Sequence, residues 1–401
     1  MSEETKILPK GWDIKHLNDL CDTISVNKIK LKQKEYLSHG KFPVVDQGQE
    51  IIGGYSDKEE YIVPSNPPYI VYGDHTKVKK YITFDFIAGA DGVKVLKPKG
   101  SVNPKYFFYL LHVVKIPDKG YARHFQFLKK ADFPTPSPKI QEAIVAKIET
   151  LFSELDNGIA QLKTAQQQLD TYRQSVLKWA FEGKLTNKNV KDGELPQGWE
   201  WVRLVDVCNK IQDGSHYSPK NQFDQPGKNR YLYITAKNIR NDRMEMSKVI
   251  YTDKEFFDTI YNRCNPEYGD VLLTKDGINT GHVTLNTLKE PFALLSSVCL
   301  FKTDSSKLSP AFLKYYIQSP IGKRNIIGQM SGTAIKRIIL KKIKTSEIYL
   351  PPQDVQSHIV QEIESRLSVA DKLQETITTS LAQAESLRQS ILKQAFEGKL
   401  V

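Results

Sequence analysis

The sequence RQSVLKWAFEGKL at residues 173–185 returns almost unchanged as RQSILKQAFEGKL at residues 388–400. A second pair of matching segments stands further upstream, LPKGW at residues 8–12 and LPQGW at residues 195–199. The ends of the two copies match while the residues between them diverge. This pattern predicts an internal repeat in which one scaffold is used twice and carries two different surfaces.

Each copy ends in a long helical stretch. Three prolines close the first globular part at residues 134–138, and residues 139–184 contain no proline. Residues 353–401 repeat this pattern after Pro351 and Pro352, so the sequence predicts two long helices. Apolar residues recur every seven positions, which favours pairing of the two helices as a coiled coil over two independent surface helices. The predicted helix-pairing residues are Leu155, Leu162, Leu169, Val176, Ala370, Ile377, Ala384 and Ile391, with a second series that includes Tyr172 and Trp179.

The remaining segments have a different texture. Residues 1–138 and 195–352 predict two globular domains, and residues 185–194 form a polar linker between the first helix and the second domain. The globular segments are rich in Gly, Pro, Tyr and β-branched residues, which is typical of short strands separated by turns, with a few short helices. The predicted fold class is therefore α+β, with each globular domain followed by a long helix.

Composition excludes several classes of protein. The 401 residues include 57 Lys and Arg against 46 Asp and Glu, a net charge of +11 that suggests an acidic partner without identifying it. The sequence lacks an apolar run of the roughly 18 residues that a membrane span needs. Four cysteines without CxxC spacing predict neither a zinc site nor a disulfide framework, and the polar start MSEETKILPK is unlike a signal peptide. We therefore expect a cytoplasmic protein.

Three short motifs could carry chemistry. Residues 66–69 read NPPY, the catalytic tetrapeptide of adenine-N6 methyltransferases, but the glycine-rich cofactor turn that such enzymes require is not found in the sequence. Asp74 and His75 could form an acid–base pair, and Ser215 and His216 a nucleophile pair. Adjacent residues in a strand rarely point at each other, so we expect no catalytic residues and no metal ligands.

The two copies together resemble a known family, the DNA-specificity (S) subunits of type I restriction–modification systems. The resemblance rests on the LPKGW and LPQGW segments, both helix ends, and PPQDVQSHIVQEIE at residues 351–364. Segments such as YGDHTKVKKY at 72–81, DGSHYSPK at 213–220 and LSSVCLF at 295–301 add to it.

This resemblance implies two variable target-recognition domains, with the two helices pairing antiparallel as a spacer between them. It further implies a complex on double-stranded DNA with two methyltransferase (M) subunits and with restriction/translocase (R) subunits. No cofactor would be bound by this chain, and S-adenosylmethionine, ATP and Mg would act on the partner subunits.

Two sets of loop residues are candidates for DNA contact, since Lys and Arg suit phosphate, and Asn, Gln, Ser and His suit base edges. The alternative for each is an ordinary surface residue. In the first copy the candidates are His75, Lys77, Lys79, Lys80, Arg123, His124 and Gln126. In the second copy they are Ser215, His216, Tyr217, Lys220, Lys237, Asn238, Lys275, Thr333, Lys336 and Arg337.

The sequence therefore predicts a non-catalytic subunit that recognises an asymmetric bipartite DNA target. It would direct a separate adenine methyltransferase and a separate ATP-dependent restriction enzyme to that target. Two alternatives remain: a self-contained adenine-N6 DNA methyltransferase using residues 66–69, and a coiled-coil DNA-binding repressor without enzyme partners.

Overall fold

The computed structural model describes residues 8–64, 66–117, 120, 122–187, 189–191, 193–329 and 337–401. The chain divides into two compact units, and each long helix contributes to both of them. Unit 1 combines Met1–Lys163 with Thr378–Val401, and unit 2 comprises Thr164–Ile377. The sequence-based domain limits, which separate the helices from the globular parts, stay a prediction.

Unit 1 is a mixture of short strands and helices, as the sequence predicts. Its main sheet has four antiparallel strands in the order β2–β8–β5–β6, and a smaller sheet has the order β4–β3–β7. Strands β1 and β9 form a separate antiparallel pair. The strands are β1 (Asp13–Lys15), β2 (Cys21–Ile24), β3 (Phe42–Val45), β4 (Gly54–Ser56), β5 (Tyr69–Gly73), β6 (Lys79–Ile82), β7 (Ile87–Ala88), β8 (Val93–Pro98) and β9 (Phe133–Thr135). The helices are α1 (Leu17–Leu20), α2 (Pro104–Val113), α3 (Phe125–Leu128) and α4 (Pro138–Phe181), whose last part belongs to unit 2.

Unit 2 repeats this plan with additional elements. Its main antiparallel sheet has the order β11–β20–β17–β18, and its second sheet has the order β12–β16–β13–β19. The strands are β10 (Glu200–Arg203), β11 (Cys208–Asp213), β12 (Gln222–Phe223), β13 (Arg230–Ile234), β14 (Ile239–Arg240), β15 (Arg243–Met244), β16 (Ile250–Asp253), β17 (Val271–Thr274), β18 (Val283–Leu285), β19 (Phe292–Leu294), β20 (Val298–Thr303) and β21 (Glu347–Leu350). The helices are α5 (Lys254–Cys264), α6 (Pro310–Gln318), α7 (Pro320–Ile326), α8 (Leu340–Thr345) and α9 (Gln353–Phe396), whose last part belongs to unit 1. The α+β class is confirmed in both units.

A buried glutamine fixes the start of each long helix. In unit 1 the Gln141 side chain accepts a hydrogen bond from the Asn103 backbone N–H at 2.9 Å and donates to the Pro136 carbonyl at 2.9 Å. Asn103 in turn caps α2, because its side chain accepts from the first backbone N–H groups of that helix. Gln356 makes the corresponding bonds in unit 2, accepting from the Ser309 backbone N–H at 2.9 Å. The start of each long helix is therefore connected to its globular part by the same hydrogen bonds in both copies.

The far ends of the helices belong to the apolar cores of the units. In unit 1 the Phe396 ring packs edge-on against Tyr106, with centroids 5.2 Å apart. In unit 2 the Phe181 ring packs against Phe312 at 5.2 Å. The equivalent cysteines Cys21 and Cys208 lie against these cores, and burial raises the pKa of each thiol to about 12.

The heptad residues separate into buried and exposed sets. Six of the predicted helix-pairing residues are buried, namely Leu169, Val176, Ala370, Ile377, Ala384 and Ile391. Leu155 and Leu162 are half-buried, and they line an open groove of unit 1. The prediction for the second series was wrong at Tyr172 and Trp179, which are exposed. The buried residues of the last turns are instead Leu177, Ala180 and Phe181, because this part of α4 lies in the apolar core of unit 2, which covers a wider face of the helix.

Gly398 provides a test of how the end of α9 docks in unit 1. Its φ is +68°, and an added Cβ would collide with the ring of Pro9. We expect Gly398→Ala to lower the free energy of unfolding of unit 1 by about 2 kcal/mol, since a left-handed backbone and a collision both oppose the substitution. Thermal unfolding followed by circular dichroism measures the change.

Gly158→Ala in α4 is the matched control. An added Cβ at Gly158 meets nothing within 4 Å, so alanine should leave stability unchanged or raise it by up to about 1 kcal/mol. Equal destabilisation by both substitutions would contradict the proposed docking.

Candidate DNA interface

Two loops of unit 1 meet where β5 ends. The first loop, residues 74–78, connects β5 and β6, and the second, residues 46–53, connects β3 and β4. The Thr76 hydroxyl donates to the Gln47 carbonyl at 2.8 Å, and the Gln47 side chain accepts from the His75 backbone N–H at 3.3 Å. These bonds hold the predicted DNA-contact loop against a loop that the sequence did not single out.

A third loop reaches the same end of β5 through Asp74. This residue is 3% exposed, and its carboxylate accepts the backbone N–H of Phe125 at 2.7 Å. Its carbonyl accepts the backbone N–H of His124 at 2.8 Å. The Lys94 ammonium lies 3.9 Å from the carboxylate. Asp74 therefore joins the two predicted loops of the first copy.

The lysines of this region differ in accessibility. Lys80 is 4% exposed, lies 3.6 Å from the Asp46 carboxylate, and donates to the Glu50 carbonyl. Burial lowers the pKa of Lys80, while the Asp46 carboxylate opposes that effect. Burial also lowers the pKa of Lys79, together with the nearby charge of Lys77. Lys80 therefore braces the loop of residues 46–53 from inside.

In unit 2 the turn before β20 connects the predicted contact loops. The Ser296 backbone N–H donates to the Ser215 carbonyl at 2.8 Å. The Ala236 backbone N–H donates to the Ser297 hydroxyl at 3.2 Å, and the Lys275 backbone N–H donates to the Ser297 carbonyl at 2.9 Å. Three loops that lie far apart in the sequence are thereby fixed to one turn.

The buried Asp213 carboxylate lies close to three basic side chains of unit 2. The Asp213 side chain is 4% exposed, and one of its oxygens lies 2.9 Å from the Arg263 guanidinium. Its other oxygen lies 3.4 Å from the Lys275 ammonium and 3.7 Å from the His216 ring. Arg263 also donates to the Asp213 carbonyl at 2.9 Å. The arrangement leaves Arg263 and His216 partly open to solvent while their orientation is fixed from inside.

In both units, the loop before a short helix is hydrogen-bonded to the residue that follows a strand of the main sheet. The helix and strand are α3 and β5 in unit 1, and α8 and β17 in unit 2. In unit 1 the His124 N–H donates to Asp74, and in unit 2 the Ile338 N–H donates to the Lys275 carbonyl, each at 2.8 Å. The same backbone bond therefore recurs in both copies although the side chains differ. At this edge of each main sheet, the backbone geometry is the same in both units and the side chains are different.

The predicted contact residues do not all face solvent. The exposed side chains are Arg123, Gln126, His216, Tyr217, Lys220, Lys237 and Arg337, and the half-buried ones are His75, Lys77 and Lys79. Thr333 and Lys336 lie outside the described residues. DNA contact by the accessible residues stays a prediction.

Five predicted contacts need correction because their side chains are buried: Lys80, His124, Ser215, Asn238 and Lys275. The Asn238 side chain accepts from the Thr235 backbone N–H at 3.1 Å and donates to the Glu245 carbonyl at 3.0 Å. The Ser215 hydroxyl donates to the Tyr217 carbonyl at 2.9 Å. These side chains support the loops from inside and do not present donors at the surface.

Sequence reasoning also missed four residues that organise the site: Asp46, Asp213, Arg263 and Ser297. Asp213 and Ser297 lie in segments that carry the family resemblance, which was an available signal. Arg263 lies near the end of α5, 50 residues from its carboxylate partner, and gives no local signal.

The motifs with possible chemistry have structural roles. Tyr69 of the NPPY segment is buried in the core, where its hydroxyl donates to the Pro64 carbonyl. The Asn66 carbonyl accepts from the Lys97 ammonium, which lies 4.9 Å above the Tyr69 ring. The segment is thus an irregular stretch that enters β5 at Tyr69.

Within the described ranges, no helix is both long enough and apolar enough to cross a membrane. Across the same residues, no group of three or more His, Cys, Asp or Glu side chains is arranged to hold a metal ion.

The two units are built on the same repeated scaffold. In each unit, polar loops of different sequence meet at the end of one strand of the main sheet. This architecture is that of a protein with two recognition modules. The family model described as "Type I restriction modification DNA specificity domain" matches residues 9–164 and 196–385. The chain belongs to this family of specificity subunits, which recognise DNA without catalysing a reaction and carry no cofactor of their own.

Individual relatives agree with this assignment. The chain is 23% identical to the EcoKI specificity subunit of Escherichia coli K12, over 98% of this chain and 90% of that protein. It is 27% identical to the Escherichia coli EcoBI specificity subunit over 67% of this chain, an alignment that spans 58% of that relative. The HsdS subunit from Thermoanaerobacter tengcongensis has a similar fold, with a TM-score of 0.59 and 20% identity over 100% of both chains. A chain from a study of complex assembly in the type I R-M system has a TM-score of 0.70 at 18% identity, covering 98% of this chain and 99% of that one.

Replacing Asp213 tests whether the buried carboxylate holds unit 2 together. We expect Asp213→Asn to lower the free energy of unfolding by about 3 kcal/mol, because Lys275 would stay buried without its counter-charge. Asp258→Asn is the matched control, since its ion pair with Lys254 is exposed and should contribute little to stability. Urea unfolding measures both values. A loss at Asp213 no larger than that at Asp258 would contradict the role of the cluster.

Proposed function

We propose that the chain selects an asymmetric, bipartite DNA target and that each unit recognises one half of it. One observation carries this proposal: in each unit, the loops whose sequences differ between the copies converge on the end of the same strand of the main sheet. A shared scaffold with unlike loops is what recognition of two unlike half-sites requires, since the geometry of the protein sets half-site spacing.

Among the accessible side chains of these loops, the cations would provide affinity for DNA, and the neutral polar side chains would provide specificity. Arg123 in unit 1 and Lys220, Lys237 and Arg337 in unit 2 are exposed cations suited to phosphate. Exposed Gln126, like partly exposed His75, has the donors and acceptors that base edges recognise.

The long helices would act as the spacer, paired antiparallel. Support comes from one ion pair in each unit: Asp156 with Arg388 in unit 1, and Arg173 with Asp371 at 2.7 Å in unit 2. From the first pair to the second, the position along α4 rises from 156 to 173 while the position along α9 falls from 388 to 371. Asp156 and Asp371 are also equivalent in the repeat, as are Arg173 and Arg388. Opposite directions with repeated contacts favour a coiled coil of fixed register.

The enzymatic steps would belong to partner proteins in the cytoplasm. We propose that the chain docks two adenine methyltransferase subunits and recruits ATP-dependent restriction subunits. S-adenosylmethionine, ATP and Mg would then be bound by those partners. The relatives support this proposal because they are named as specificity subunits of type I restriction enzymes.

Exchanging one module tests the assignment of half-sites. Replacing residues 195–352 by the corresponding residues of another specificity subunit should change one half of the methylated sequence and leave the other half intact. The reciprocal control exchanges residues 8–138 and should change only the other half. Long-read mapping of methylated adenine gives both outcomes. If either exchange changed both halves, the assignment of one half to one unit would be wrong.

A substitution in the NPPY segment separates this proposal from a self-contained methyltransferase. We expect Asn66→Ala to leave methyl transfer by the complete complex within about twofold of wild type, because the contact of Asn66 with Lys97 is made by its backbone carbonyl, which alanine keeps. A residue used in the transition state would instead cost about a hundredfold or more. Transfer of a labelled methyl group to DNA is the measurement. Transfer by the purified chain alone would overturn the proposal.

A further inference from the structure

Unit 2 presents a fully exposed isoleucine next to its charged cluster. Ile278 has a relative exposure of 102% and lies in the loop between β17 and β18, three residues beyond the buried Lys275. Single exposed apolar residues are common, so exposure alone decides nothing. Ile278 is set apart by its loop, which begins at Lys275, a member of the Asp213 cluster.

The loop that carries Ile278 is held by hydrogen bonds on both sides of it. The Asn279 side chain donates to the Ala236 carbonyl at 3.3 Å, which ties the loop to the neighbouring loop of Lys237. The Thr280 hydroxyl donates to the Gly277 carbonyl at 2.6 Å, and the Gly281 N–H donates to the Thr274 carbonyl at 2.8 Å. An apolar side chain is therefore held out into solvent by a braced loop, which reduces the entropy it would lose on contact.

Unit 1 has the same combination on a different hairpin. Ile51 is 58% exposed in the loop between β3 and β4. That loop is braced by Lys80, which donates to the Glu50 carbonyl and pairs with Asp46. The Gly53 N–H closes the loop by donating to the Val44 carbonyl at 2.8 Å. In each unit, an exposed isoleucine thus stands on a loop braced at the site where a buried lysine meets a buried or half-buried aspartate.

The neighbourhood of Ile278 favours DNA as the partner. Around Ile278 the accessible side chains include Lys237 and Arg337, which suit phosphate. Isoleucine cannot bind phosphate, so a contact made by it within a cationic edge would be apolar. On DNA, such a contact reaches the thymine C5-methyl group in the major groove or wedges between base pairs.

We propose that Ile278 and Ile51 are specificity-determining residues, each making an apolar base contact in the half-site read by its own unit. This inference rests on the proposed function, since it assumes that each unit reads one half-site. It adds apolar readout to the polar and cationic contacts of the loops, at two residues that carry no polar side-chain atom.

The test uses the complete complex with its methyltransferase subunits and three variants of this chain. We expect Ile278→Ser to weaken specific DNA binding about tenfold, as loss of one buried aliphatic side chain predicts. The loss should be confined to one half-site, so that changing that half costs the variant less than it costs wild type. Ile51→Ser should do the same for the other half. The salt dependence of binding should stay unchanged in both, because no phosphate contact is removed.

Tyr268→Ser is the matched control. Tyr268 is 65% exposed and precedes β17, whereas Ile278 follows it, so the two residues lie at opposite ends of one strand. Tyr268→Ser should bind DNA as wild type does. Equal losses in Ile278→Ser and Tyr268→Ser, or no loss in either isoleucine variant, would overturn the proposal.

Two further measurements identify the contact. If replacing thymine by uracil in the half-site weakens wild type and leaves the isoleucine variant unchanged, the contact is the C5-methyl group. DNA bending is measured by fluorescence resonance energy transfer between dyes at the two DNA ends. If uracil has no effect and the variant bends DNA less than wild type does, the isoleucine inserts between base pairs. Normal DNA binding with loss of the methyltransferase subunits would show a protein contact and overturn the proposal. A wild-type complex without a bipartite methylated sequence would instead overturn the proposed function itself.

Discussion

The docking of a helix end onto the turn that begins a globular unit is the contact on which both units depend. In unit 1 the backbone of Gly398 lies against Pro9 and Trp12, and in unit 2 Gly183 lies against Pro196. Both glycines have positive φ and leave no room for a side chain. The two most similar pairs of segments in the sequence, LPKGW with LPQGW and the two EGKL ends, are therefore partners in space.

This docking explains how helices of 44 residues are stabilised. A helix of such length has too little intrinsic stability without tertiary packing, and one small domain cannot cover it. Each helix starts on a buried glutamine of one unit, and its last turns fill the core of the other. Each unit is therefore completed by residues from the distant helix, so a unit cut from the chain at its sequence boundary would lack part of its core.

Much of this architecture was predictable because it is encoded in local or periodic patterns. Repeated segments, proline boundaries and heptad spacing predicted the helices and the α+β class. The heptad pattern misplaced Tyr172 and Trp179 because the last turns of α4 pack against a globular core and not along a seam. The burial of Lys80 and Lys275 was not predictable either. Each lysine meets a carboxylate from a distant part of the chain, and sequence spacing does not reveal such a pairing.

The buried pairs also change what a net charge of +11 means. Charge that is neutralised by a buried or half-buried carboxylate contributes little to the electric field outside the protein, so Lys80 and Lys275 hold their loops in place and add little to the attraction of an acidic partner. In the proposed function, affinity would come from the exposed cations, because their attraction to phosphate is long-range and does not depend on the base sequence. Discrimination between bases needs side chains at fixed positions, and a loop that moved by an ångström would lose it. In the proposed function, the interior salt bridges would therefore be a condition for specificity, because they hold the loops on which the two copies differ.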